Sequence, residues 1–408
     1  MTPEFAAAVT GLGLVTPAGV GVADNWARVL SGRPTAATDP ELAGLSVDFS
    51  CRVRDLDPTT VFGPRRARLL DRCTQLVLVA AREAVADAGL ADGDCDSARV
   101  AVVIGTGAGG TATMENQQAT LLRDGAGKVS SLTLLMGLSN MTAAQVAMEF
   151  GLRGPNLTVS TACASGATAI GTARDLLRTG AADVVVAGGT DAAITRLFVS
   201  AFTRMKALST RSRDPLGASR PFDVSRDGFV IGEGAGVVVL ESEEHARRRG
   251  ARIHASVIGF GASCDAHHVA APDPTGGGAE LAVRTALAGA GITGRDVGYV
   301  NAHGTSTPLN DVAEADVILR TVGDHVLVSS TKGVTGHTLG GAGAIEAVYS
   351  ILALEGQQVP PTANLGTPDP AVGVDLVRHV PRPSGSRVAM SNSFGFGGHN
   401  AVLVMAAN

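Results

Sequence analysis

One cysteine in the stretch VSTACASGATAIG, residues 159–171, stands between a β-rich run and a run of small residues. A thiol on such a strand-to-helix elbow can face a cavity, and the first N–H groups of the following helix favour its thiolate and raise its nucleophile fraction. Cys163 has two readings on these grounds: a buried small apolar group, or a reactive nucleophile. Two histidines are placed in a similar way. His303 follows a β-type run in GYVNAHGTSTPLND, and His337 precedes a helix-like segment in SSTKGVTGHTLGGAGAIEA, whereas His245 in EEHARRRG reads as an exposed helical residue. Groups far apart in a chain can meet at the strand ends of α/β folds. Lys332 precedes His337 by five residues and Glu346 follows it by nine, so a fixed charge and a helical carboxylate lie near that loop; each also fits an ordinary ion pair. Asp311 and Glu314 open the helix after His303, where helical N–H groups favour carboxylates, and read as structural.

A metal site is the competing use for a thiol and two imidazoles. These three groups lack compact ligand spacing, and a closed four-ligand site would remove the open face that covalent chemistry needs. His267 and His268 in CDAHHVAAPD read as a polar loop, since adjacent residues point apart. The glycine clusters do not make nucleotide sites: VTGLGLVTPAG lacks the third glycine, GTGAGG at 105–110 lacks the dinucleotide spacing, and TGGGAE lacks the phosphate-loop lysine. In SNSFGFGGHN, Phe394 and Phe396 can flank a cavity while Gly397 and Gly398 permit close backbone approach, although core packing explains them equally.

The elements that must position these groups read as α/β. Short apolar runs such as RVAVVIGTGAGG, NLTVST, ADVVVAGGT, GVVVLES, VGYVNAHG and HVLVSSTKG alternate with helix-like segments at 74–90, 165–180, 278–291 and 311–323. The polar stretch 209–234 reads as a boundary or a surface excursion between halves. A chain of 408 residues, 45% hydrophobic, buries a large core. Its net charge of −5 and dispersed Lys and Arg argue against nucleic acid, and no run has membrane-spanning length. Five cysteines without paired spacing point to reduced thiols and a cytoplasmic setting.

Taken together, VTGLGLVTP, TACASG, SRPFDVSRDGFVIGEGAG, NAHGTSTPLND, TKGVTGHTLGGAGAIEA and NSFGFGGHN, in this order, resemble the β-ketoacyl-acyl carrier protein synthases of the elongating type, over nearly the whole chain. The resemblance implies a thiolase fold whose duplicated halves, taken as residues 1–250 and 251–408, form a five-layer αβαβα core, and it implies a dimer. It assigns the nucleophile to Cys163 and the paired histidines to His303 and His337, with Lys332 and Glu346 supporting. Phe396 falls on the gate beside the nucleophile, its N–H with that of Cys163 on the oxyanion site, and Phe394 next to it. Thr305 and Thr307 fall on the phosphopantetheine contacts, and Ala108 and Phe202 on the acyl pocket. Arg65, Arg66, Arg68, Arg204 and Lys206 lie where the family docks acidic carrier proteins, although ordinary solvated side chains also fit there.

The implied reaction is a decarboxylative Claisen condensation of an acyl group on cysteine with malonyl-acyl carrier protein. The implied cofactor state is none bound by the chain, with substrates riding on the carrier's phosphopantetheine. Implied partners are the carrier protein and a second subunit, identical or resembling a chain-length factor. Ala108 is smaller than the isoleucine of the bacterial fatty-acid motif, and His399 replaces the threonine of GGTN. Both departures favour type II polyketide elongation, with housekeeping fatty-acid elongation as the alternative. A noncatalytic chain-length subunit typically lacks the cysteine present here, a thiolase uses two cysteines, and a cysteine hydrolase fits less well still.

Overall fold

The computed structural model describes residues 5–90 and 95–408. Apart from short pairings off the main path, the strands that build its main sheet are β1 (Ala7–Thr16), β2 (Val100–Gly105), β3 (Asn156–Val159), β4 (Val184–Asp191), β5 (Gly234–Ser242), β6 (Ala255–Cys264), β7 (Tyr299–Asn301), β8 (Leu327–Ser329), β9 (Asp375–Leu376), β10 (Val388–Gly395) and β11 (His399–Ala407). Five helices organise them: α1 (Arg72–Asp87), α2 (Ser165–Arg178), α3 (Gly277–Ala290), α4 (Pro308–Thr321) and α5 (Ala342–Gly356).

The strand order runs β9-β8-β7-β10-β11-β6-β1-β5-β4-β2-β3. It contains the same pattern twice. In the first part β1 and β5 pair antiparallel, β5 and β4 antiparallel, and β4, β2 and β3 parallel. In the second part β6, β11, β10, β7 and β8 repeat those neighbours and directions. In the sheet the two join through the pairing of Ala7–Val9 with Ala255–Val257. The duplication left open by the sequence is therefore explicit in the topology.

Helices α2 and α5 pack on each other and lie between the two sheet halves, while α1 covers the outer face of the first and α3 that of the second. This is the five-layer αβαβα arrangement of the thiolase fold. Each outer helix docks against a Gly-x-Gly pair in the first strand of its half. A Cβ on Gly11 or Gly13 would stand 2.0 or 1.9 Å from a carbonyl oxygen of α1, and one on Gly259 or Gly261 2.3 or 2.0 Å from one of α3. GLG in β1 is thus a helix-packing device and not a ligand loop. Glu83, the polar interruption on the apolar face of α1, accepts hydrogen bonds from Leu14 N (2.9 Å) and Val22 N (2.7 Å).

The excursion 209–234 is no divider. Phe222, Phe229 and Ile231 are buried, Gly228 N donates to Ser306 O at 3.0 Å, and Arg226 bonds the carbonyls of Thr307 and Pro308. It straps the loop after β7. His245, expected to be exposed, instead bonds buried Glu241 at 2.6 Å.

Candidate active site

The chemical groups sit on loops leaving the carboxyl ends of parallel strands, where crossover connections leave a crevice. Cys163 lies between β3 and α2. The preceding Ala162 has φ +49°, a left-handed conformation that costs a β-carbon residue energy and turns the chain sharply. Ser165 holds the turn: its hydroxyl accepts from Thr161 N (2.9 Å) and donates to Ala162 O (2.6 Å). His303 follows β7, and Lys332 and His337 follow β8, the counterpart of β3. The loop after β10 brings Phe396, approaching so closely that a Cβ on Gly395 would stand 3.0 Å from Cys163 N.

Cys163, His303, His337, Phe394 and Phe396 line one cavity of about 450 Å³, together with Thr305 and Thr307, whose hydroxyls bond at 2.9 Å. The imidazoles of His303 and His337 meet edge to face, centroids 5.3 Å apart. Phe229 packs on His337 at 5.3 Å and Phe394 on His303 at 6.0 Å, which fixes the ring planes. Both Nδ1 atoms are buried without a hydrogen-bond partner among the described residues, so no protein group there dictates the tautomer. Burial, reinforced by the Lys332 charge, holds both imidazoles well below the usual histidine range. Each is neutral at physiological pH and offers one N–H and one acceptor nitrogen.

The thiol corrects the sequence-based expectation. Burial pushes Cys163 up to about 12, against the pull of the Phe396 N–H and the Lys332 charge. A helix N-terminus alone does not hold a thiolate in a site this dry, and the resting group is a neutral thiol. The N–H groups of Phe396 and Cys163 itself nevertheless face the sulfur, a two-donor arrangement suited to an oxyanion.

Lys332 and Glu346 form a buried ion pair, and burial raises Glu346 to about 7 even beside the lysine. Asp311 and Glu314 do not cap their own helix as expected. Glu314 reaches back to accept the N–H groups of His303 and Gly304, each at 2.7 Å, and Asp311 accepts Phe222 N at 2.8 Å. Their role is to shape the loops around His303.

Other expected residues fall elsewhere. Ala108 and Phe202 do not line the open cavity; they lie in the apolar cluster around Cys163, with Phe202 stacked on Phe396 at 6.2 Å. Aromatic rings therefore fill this cluster beside Cys163. Lys206 and Met205 line the cavity mouth, and Arg65, Arg68 and Arg204 are exposed. Arg66 is committed, paired with Glu149, which Arg82 also bonds at 2.6 Å. His268 lines the same cavity as Cys163, and its Nδ1 accepts from Ala270 N and Ala271 N of its own loop. Among the described residues, no three His, Cys, Asp or Glu side chains are grouped to hold a metal, and no helix is long and apolar enough to cross a membrane. Sequence reasoning missed Asp191, buried at the end of β4, whose only local signal is a carboxylate ending an apolar run.

A duplicated thiolase fold with a cysteine elbow facing two neutral imidazoles defines the class of condensing enzymes, and comparison with known proteins agrees. The family described as "Beta-ketoacyl synthase, N-terminal domain" matches residues 6–246 and its "C-terminal domain" residues 254–366. The chain is 44% identical over 403 residues to "3-oxoacyl-[acyl-carrier-protein] synthase 2" of Vibrio cholerae serotype O1, covering 97% of each. Among solved structures it is similar to the ishigamide ketosynthase/chain length factor (33% identity, TM-score 0.92, 99% of each chain). It is also similar to a type II polyketide ketosynthase bound to the hexaketide, in complex with its acyl-carrier protein (33%, TM-score 0.91, 100% of each). The chain belongs to the β-ketoacyl synthase family. It is a ketosynthase, an enzyme of Claisen-type condensation on an acyl chain linked to acyl carrier protein.

Proposed function

We propose that Cys163 carries the growing acyl chain and that the chain extends fatty acyl groups. The observation that carries the site assignment is the convergence of Cys163, His303 and His337 on one cavity. In the first half-reaction the Cys163 sulfur attacks the incoming thioester as a neutral imidazole takes the thiol proton; the carbon–sulfur bond to the carrier then breaks and the imidazole returns that proton to the departing sulfur, releasing the carrier thiol. The N–H groups of Cys163 and Phe396 stabilise the tetrahedral oxyanion. Malonyl-carrier then binds, its phosphopantetheine arm contacting Thr305 and Thr307. Loss of carbon dioxide leaves an enolate whose oxygen receives hydrogen bonds from His303 and His337. The enolate carbon attacks the acyl-cysteine, giving the β-ketoacyl-carrier and freeing the sulfur. Lys332 and Glu346 set the charge beside the imidazoles, and Ala108 and Phe202 bound the acyl pocket behind Phe396.

Ala108 and His399 point to polyketide elongation, but the wider similarity favours the fatty-acid alternative. Identity to the carrier-protein synthase 2 of Vibrio cholerae is 44%, against 33% to the polyketide ketosynthase. Arg65, Arg68, Arg204 and Lys206 are exposed positive charges suited to an acidic carrier, and Lys206 lines the cavity. A dimer is favoured by β3, an open sheet edge, and by exposed Leu134, Leu135, Leu138 and Leu157. Division of the chain at 250/251 follows the repeated strand order, putting Cys163 in one half and both histidines in the other.

The test is reconstitution with purified carriers bearing saturated or β-ketoacyl chains and with malonyl-carrier, read by intact mass. Acylation of wild type but not of Cys163→Ala, with preference for saturated chains, is the expected result. Acyl loading that survives Cys163→Ala sinks the assignment, and preference for β-ketoacyl chains returns the polyketide reading.

A further inference from the structure

Beside Cys163 lies a carboxylate that no step of the condensation uses. Asp191 is fully buried, and its two oxygens accept four hydrogen bonds. One takes Thr106 Oγ1 (2.7 Å) and Ala108 N (3.0 Å); the other takes Gly107 N (2.9 Å) and Gly340 N (2.7 Å). The fit has no slack. A Cβ on Gly340 would stand 2.4 Å from Gly107 N and 2.7 Å from Asp191 Oδ2, and one on Gly107 would stand 3.4 Å from Ala162 O, on the cysteine elbow.

The repeated strand order makes the loops after β2 and β7 equivalent, and each is held by a buried carboxylate, drawn from a different element in each half: Asp191 from the end of β4, Glu314 from α4. In the second half Glu314 holds the loop after β7 through the N–H groups of His303 and Gly304. In the first half Asp191 holds the equivalent loop after β2 through those of Gly107 and Ala108. One loop presents His303 to the cavity, and the other presents Ala108 to the apolar cluster around Cys163. Asp191 also crosses between the halves, because Gly340 lies in the turn linking His337 to α5.

We propose that Asp191 is a positioning residue for acyl transfer, locking the Ala108 wall of the acyl side to the turn that follows His337. Building the wall and the imidazole on one buried carboxylate makes their spacing independent of loop motion. The inference rests on Cys163 as the acyl acceptor. Asp191→Asn preserves shape but turns an NH₂ toward N–H donors, so it loosens the loop without opening a cavity.

The experiment measures acylation of Cys163 by carrier thioesters of several chain lengths, the pH midpoint of Cys163 alkylation, and thermal melting. Asp191→Asn is expected to stay folded and to load about tenfold to a hundredfold more slowly. The deficit should grow with chain length, and the alkylation midpoint should move to lower pH because a neighbouring negative charge is gone. Wild-type rates at every length overturn the proposal. So does a uniform loss with an unmoved midpoint, the signature of a merely structural residue. Should Asp191→Asn fail to fold, Thr106→Val keeps the carboxylate and its three backbone bonds; its loading should fall less but with the same grading, and no graded change overturns the proposal. Wild type that never loads Cys163 refutes the acceptor assignment instead.

Discussion

Replacing His254 with glutamine should destabilise the protein in a pH-dependent way. His254 is buried, with Nε2 on Asp87 at the end of α1 (2.8 Å) and Nδ1 on Glu355 near the end of α5 (2.9 Å). Asp87 in turn accepts Leu12 N from β1 at 2.9 Å, and Arg252 bonds Glu355 at 3.1 Å. The imidazolium thus joins an outer helix to a central one. Burial alone would lower its pKa, but the two carboxylates prevail and raise it from 6.5 to about 9. That rise corresponds to roughly 3 kcal/mol of folded-state preference for the charged form. Asp87 and Glu355 are 31% and 27% exposed, so solvent screening reduces the useful contribution to about 2 kcal/mol. A histidine with a raised folded pKa stabilises fully below its unfolded value and loses that contribution as pH rises through the folded one. The wild-type advantage over His254→Gln should therefore be greatest at pH 6 and shrink steadily from 6.5 to beyond 9. Urea unfolding of both proteins across that range checks it. A stability difference that is flat with pH, or grows on the alkaline side, refutes the charged-histidine account.

Two further outcomes follow from the site. Lys332→Met strands Glu346 in the interior and should cost about 3–5 kcal/mol. The double change Lys332→Met with Glu346→Leu should recover most of that stability but not condensation, and a double variant that condenses normally shows the pair is structural only. Reversing Arg204 and Lys206 to glutamate should raise KM for acyl-carrier, most strongly at low salt, and leave turnover of a free pantetheine thioester unchanged. An unchanged KM for the carrier removes this face as the docking site.

Much of the site was legible because each chemical group sits in a short local signal, a β-type run followed by small or turn-forming residues. The elbows of Cys163, His303 and His337 are of this kind, and the helices expected at 165–180 and 278–291 lie at Ser165–Arg178 and Gly277–Ala290. Two long strands escaped notice, Ala255–Cys264 and His399–Ala407. In the first, glycines that admit α3 interrupt the apolar run; the second pairs with it and draws its stability from that distant partner. Asp191 was invisible for the same reason, since its donors come from residues 83–85 and 149 positions away. The neutral state of the Cys163 thiol depends on how thoroughly three loops bury it, which no local stretch encodes. Arg66 read as a free docking charge because Glu149, its partner, lies on another helix.

The repeated strand order has a consequence for the symmetry of the site. The elbow after β3 and the elbow after β8 occupy equivalent places in the two halves, yet one bears a thiol and the other a lysine and an imidazole. An assembly of two identical half-length chains would be forced to put the same residue in both places. A single polypeptide is free of that symmetry, which lets one elbow carry a thiol and its twin a lysine and an imidazole.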